Sequence, residues 1–190
     1  MIEYKLIIGL GNPGVEYTKT RHNAGFWLLD ALANQLQISL RSESKFSGMC
    51  GKGLIGMTSI LFLKPMTFMN RSGQSALAIA QFYKIDPSQI LVIHDELDIE
   101  PGQIRLKQGG GHGGHNGLRD LSRVFGTNYA RIRLGIGHPG HKSEVTNYVL
   151  TEATIEQRSQ IDDAIHETLL HFNRIVLGQW DQAMNALHKR

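Results

Sequence analysis

Two short segments hold the side chains best suited to acid–base work: Thr20-Arg21-His22-Asn23 and His94-Asp95-Glu96-Leu97-Asp98. An imidazole with an ordinary pKa of about 6.5 takes a proton from water at neutral pH. A carboxylate behind it fixes the tautomer and stabilises the imidazolium that forms, and side-chain amides hold a water or a developing oxyanion. His22 is the candidate base and Asp95 the candidate carboxylate, with Asn12, Asn70 and Asn116 as three amides on loop-like segments. The set fits hydrolysis by activated water. Covalent catalysis is disfavoured, because the chain has no G-x-S-x-G elbow and Cys50 stands in a glycine-rich strand pair with nothing to activate it.

Three other motifs have competing readings. Gly9-Leu10-Gly11-Asn12-Pro13-Gly14 satisfies G-x-G-x-x-G after a strand. A dinucleotide site needs those glycines to open a helix. Here Pro13 disfavours helical geometry at Asn12, and Val15 to His22 has no apolar stripe. A turn that lifts Asn12 from a strand end is the better reading. The tract Gly109-Gly110-Gly111-His112-Gly113-Gly114-His115-Asn116 exposes backbone amides. Its two histidines have no cysteine beside them and a flexible platform beneath, which argues against zinc. Asp95, Glu96 and Asp98 alternate in direction on an extended segment and would not converge on a metal. No metal and no cofactor is expected. Lys64 to Gly73 reads as a loop after a strand, in which Asn70 or Ser72 caps the next helix.

The elements that must position these groups alternate between apolar strands and amphipathic helices, the pattern of an α/β layer fold. Strands are expected at Leu6–Leu10, in a pair at 46–56 and 59–63, at Ile90–Ile93, Gln103–Gln108 and Ala130–Ile136. Helices are expected at Ala24–Leu36, Ser72–Phe82, from an Asn116 N-cap to Val124, and from Ile155 in two segments parted near Gly178. At 190 residues, with 41% hydrophobic and 19% charged residues, one domain spanning 1–190 is expected. The N-terminus lacks a secretory pattern and no apolar run approaches the ~18–20 residues of a membrane span. A lone cysteine allows no internal disulfide, which fits a cytoplasmic protein. Charge is uneven: residues 1–101 carry nine Lys/Arg and nine Asp/Glu, residues 102–142 seven against one, and residues 143–190 four against seven. The resulting +6 block favours a polyanion such as nucleic acid.

In order along the chain, Gly9 to Gly14 with Tyr17 and Thr20 to Asn23, Pro65 to Gly73, His94 to Asp98, Gly114 to Leu118 and Arg131 to Gly137 resemble the bacterial peptidyl-tRNA hydrolases. The resemblance runs from the first strand to about residue 150. It implies a monomeric α/β fold with a twisted mixed β-sheet surrounded by α-helices. It also implies cleavage of the ester between a peptide and the 3′ end of tRNA. By motif position His22 is then the general base, Asp95 its orienting partner, and Asn12 and Asn70 position the peptide end and water. Asn116 helps bind substrate or stabilise the intermediate, and Tyr17, Met69 and His115 line the cleft. Lys107 and Arg133 match positions that grip the 5′ phosphate and acceptor stem, with Lys142 beside them. His138 and Glu100 stand where the family more often has Arg and Pro, away from the chemistry. Two other classes compete: a non-catalytic RNA-processing relative of this fold, which would have no use for His22, Asp95 and the three asparagines together, and a small-molecule esterase, which leaves the +6 block unexplained.

Overall fold

Apolar strands with no wet face must be covered on both sides. In the computed structural model, which describes residues 3–188, one seven-stranded sheet is covered in this way. Its strands are β1 (Leu6–Gly9), β2 (Arg41–Glu43), β3 (Gly48–Ile55), β4 (Thr58–Pro65), β5 (Ile90–Glu96), β6 (Ile104–Gln108) and β7 (Ala130–Gly135), in the order β2-β3-β4-β1-β5-β7-β6. β4, β1, β5 and β7 run parallel, whereas β2, β3 and β6 pair antiparallel with their neighbours, so the sheet is mixed.

Strand alternation divides the core. Ile7, Phe62, Leu91, Ile93, Ile132 and Leu134 face one layer, packed by α1 (Ala24–Gln35), α5 (Ile155–Val176) and α6 (Trp180–Leu187). Leu6, Ile8, Leu63, Ile90 and Val92 face the other, under α2 (Ser72–Phe82) and α3 (Asn116–Phe125). A short α4 (Val145–Val149) follows the last strand. No helix among the described residues is long and apolar enough to cross a membrane.

Two capping expectations are corrected. α3 is capped by His115, not Asn116: the His115 imidazole accepts from the amides of Gly117 at 3.1 Å and Leu118 at 3.3 Å, and Asn116 becomes the first helical residue. Neither Asn70 nor Ser72 caps α2. Ser72 Oγ donates back to the Met69 carbonyl at 2.8 Å, while the Gly73 amide is satisfied by Asp120 of α3 at 2.7 Å. A tertiary contact supplies the cap that local sequence does not. The break near Gly178 is present, with φ 76° at that residue.

Candidate active site

Parallel strands release their loops at one sheet edge, and open α/β sheets place their sites there. Asn12 leaves β1, Met69 and Asn70 follow β4, and Asp95 sits near the end of β5. These line a cleft of about 640 Å³ together with His22, His115, Asn116 and Lys142. Phe68, Leu97, Val145, Val149 and Leu150 add apolar wall, and His138 reaches the same space. Sequence reasoning did not single out these wall residues, because a wall is defined only once separate loops meet.

Asp95 has the same strand parity as Leu91 and Ile93, so its carboxylate emerges on the face that carries α1. His22 lies in the single turn Arg21–Asn23 just ahead of α1. Nδ1 of His22 stands 2.8 Å from Asp95 Oδ2, with both side chains buried. The other carboxylate oxygen, Oδ1, is 2.7 Å from His115 Nε2. The bonds assign the tautomers. His115 Nδ1 accepts two amides of α3, so its proton is on Nε2 and is donated to Asp95. His22 donates its Nδ1 proton to the same carboxylate, which leaves Nε2 as an unprotonated base facing the cleft.

Burial works to lower the His22 pKa, but the Asp95 charge and hydrogen bond outweigh it and hold the imidazole above its ordinary value. For Asp95, burial raises the pKa; the two histidines outweigh it and keep the carboxyl far below the usual carboxylate range. His94, on the other face of β5, is pushed down to about 3, first by burial and then by His115. Its Nδ1–H donates to the Asp95 carbonyl at 2.7 Å, and Nε2 has no partner among the described residues.

His22, Asp95 and His115 are also the one group among the described residues whose ligand atoms cluster within 4.8 Å of one another. Two of their separations, 2.7 and 2.8 Å, are hydrogen-bond lengths, shorter than the roughly 3.3 Å that parts neighbouring ligand atoms around a tetrahedral zinc with bonds of ~2.0–2.1 Å. Both imidazole nitrogens that face the carboxylate carry protons in this arrangement, and a cation would have to displace them. The donor set fits proton handling.

The loops are held by residues whose pairing no motif announces. Arg21, buried, donates to the carbonyls of Tyr148 and Thr151 at 3.0 and 3.3 Å and to Gln157 at 2.8 Å. Asn23 clasps Asn12 twice, accepting from its amide at 2.8 Å and donating to its carbonyl at 3.0 Å. Asn12 Oδ1 in turn accepts from the Met69 amide at 2.8 Å, which fixes the flip of the side chain and leaves its NH₂ for the cleft. Asn70 and Asn116 are exposed on the cleft wall, the latter accepting from Arg119 at 3.2 Å. Tyr17 is displaced from the expected lining: its ring packs edge-on against Phe68 at 6.3 Å, and Phe68 takes the wall position. Lys107 and Arg133 stand on β6 and β7 outside the cleft, and Arg133 lies 3.6 Å from Glu96.

The family model for peptidyl-tRNA hydrolase matches residues 6–190 of this sequence. The chain belongs to the peptidyl-tRNA hydrolase family. Peptidyl-tRNA hydrolases of Acinetobacter baylyi and of a Marinomonas species are 51% and 53% identical to it, over 99% of this chain and 97% and 98% of theirs. The crystal structure of the Acinetobacter baumannii peptidyl-tRNA hydrolase superposes with a TM-score of 0.95 at 50% identity, covering 98% of this chain and 96% of that one. A 5′-methylthioadenosine nucleosidase of Arabidopsis thaliana matches with a TM-score of 0.53 at 8% identity, a likeness of fold alone.

Proposed function

We propose that this peptidyl-tRNA hydrolase family member cleaves the ester between the C-terminal carboxyl of a peptide, or of an N-blocked aminoacyl group, and the 3′-terminal ribose of tRNA. The reaction frees tRNA from prematurely released peptidyl-tRNA. The observation that carries the reading is the Asp95 carboxylate shared between His22 and His115 at the floor of the cleft.

Water bound at His22 Nε2 loses a proton to the imidazole as its oxygen attacks the ester carbonyl carbon. Asp95 stabilises the imidazolium through Nδ1. The oxyanion of the tetrahedral intermediate is met by amide donors, with the Asn12 NH₂ free for the task and Asn70 and Asn116 across the cleft. Collapse breaks the bond to the ribose 3′ oxygen, which takes the proton back from His22. The apolar wall of Phe68, Met69, Leu97, Val149 and Leu150 suits peptide side chains. Lys107 and Arg133, with Lys142 at the cleft, take the 5′ phosphate and acceptor stem. The enzyme works as a cytoplasmic monomer and needs no metal.

The test is release of labelled peptide from peptidyl-tRNA with a chelator present. Turnover should persist in chelator, and His22→Ala should lose roughly 10²–10⁴-fold in kcat while the fold is kept. Near-normal turnover by a folded His22→Ala would remove the mechanism.

A further inference from the structure

Among the described residues Arg131 is the largest fully buried side chain, 2% exposed, and no carboxylate lies within ion-pair distance of it. An unpaired buried cation is costly unless its donors are used. Its Nη1 donates to the Gly111 carbonyl at 2.6 Å and Nη2 to the Gly110 carbonyl, the guanidinium carbon sits 4.6 Å over the Tyr129 ring, and Nε alone has no partner among the described residues. At that exposure the group offers a polyanion almost no surface.

What it holds is the glycine loop. β6 ends at Gln108, level with Ala130 at the start of β7, whereas His115 meets Asp95, which is level with Leu134. The loop therefore runs back along β7 over about four residues of strand, roughly 13 Å. Gly109, Gly110, Gly113 and Gly114 all have positive φ, so the segment has little stiffness of its own. Beyond the Gly109 amide on the Tyr129 carbonyl, Arg131 is its one hydrogen-bonded tie to the sheet before His115 among the described residues. The last stretch then closes on itself, with His112 accepting from the amides of Gly114 and His115.

We propose that Arg131 is a positioning residue for the reaction: by gripping the Gly110 and Gly111 carbonyls it sets where the loop delivers His115 to Asp95. The role rests on the hydrolytic reading above, and it separates Arg131 from Arg133, two residues along the same strand face.

Arg131→Lys keeps the charge without the two-pronged donor, and Arg131→Gln removes the charge. In both, kcat should fall about tenfold with KM for peptidyl-tRNA within about twofold. In ¹⁵N-edited spectra the His115 ring N–H should exchange at least about tenfold faster than in the wild type, while the His22 ring N–H persists. A lowered melting temperature with the His115 signal and kcat unchanged would reduce Arg131 to a fold residue. A raised KM at constant kcat would place it in the tRNA clamp. Either result overturns the proposal. The His115 signal is read without turnover, so it decides the role of Arg131 even if His22→Ala stays active and the hydrolytic reading falls. Should neither variant fold, wild-type exchange decides: the Arg131 guanidinium and His115 ring protons should open in one event, and rates differing by about tenfold or more reject the coupling.

Discussion

At the residue level the cleft depends on how one carboxylate is divided. Asp95 accepts from two imidazoles, and only His22 keeps a nitrogen free, because α3 occupies the second nitrogen of His115. As the proposed base, His22 must be unprotonated to act, and its pKa is raised, so kcat/KM should climb with pH through a value above 6.5. Asp95→Asn removes both raising causes and leaves burial, so the acidic limb should move below 6.5 while the plateau drops roughly 10²-fold or more. A pH–rate series between about pH 5 and 9 checks both movements; an unmoved limb in the variant would deny the pairing. His94 gives a stability counterpart. Its folded pKa is lowered to about 3, so below the unfolded value of 6.5 the unfolded chain binds the extra proton and stability falls with acidification. Wild type should lose up to about 1.4 kcal/mol per pH unit relative to His94→Asn between those two values. Chemical denaturation of the pair across that range measures it, and parallel slopes contradict it. His22 and Asp95 were legible in the sequence as residue types at a helix start and a strand end. The share taken by His115 was not, since its tautomer depends on amides that exist only once α3 has formed.

At the level of elements, the distance between His22 and Asp95 is set by how closely α1 sits on the sheet. Gly25 allows the approach: a Cβ there would lie 2.5 Å from the carbonyl oxygens of both Ile93 and Leu10, and 2.7 Å from the Leu10 amide. These are backbone atoms of β5 and the β1 exit, which cannot swing aside. Gly25→Ala should therefore lift the start of α1, and with it the His22 turn, at a cost of about 1–3 kcal/mol. It should also lower kcat by about tenfold or more. Thermal melts and turnover together test this, and a stable variant with full activity would show that the helix start yields without moving His22. The apolar runs and stripes made most of the strands and helices readable. The exposed strand β2 and the five-residue α4 carry too little pattern, and the α2 cap comes from Asp120, distant in sequence. Asn23 lay within a recognised motif, yet its double clasp on Asn12 is a matter of spatial register.

At the level of the molecule, the +6 block of residues 102–142 becomes a surface only in part. Antiparallel pairing sets Arg105 opposite Arg133 and Lys107 opposite Arg131, so four cations share one face of the β6–β7 edge. A charge count treats them alike. The structure does not: Arg131 is buried under the glycine loop, whereas Lys107 and Arg133 remain partly open. A polyanion can displace its counterions only at charges it reaches, and each phosphate contact contributes about 0.7–0.9 to the slope of log affinity against log salt. Lys107→Ala and Arg133→Ala should each raise KM for peptidyl-tRNA and flatten that slope by about one such contact, with kcat little changed. Arg133 lies 3.6 Å from Glu96, so part of its charge is already engaged, and its substitution should flatten the slope less than that of Lys107. Arg131→Gln should leave the slope as it is. KM measured across a salt series in the three variants separates these outcomes. A slope that changes in Arg131→Gln alone would mean that the polyanion binds behind the loop and not along the exposed edge.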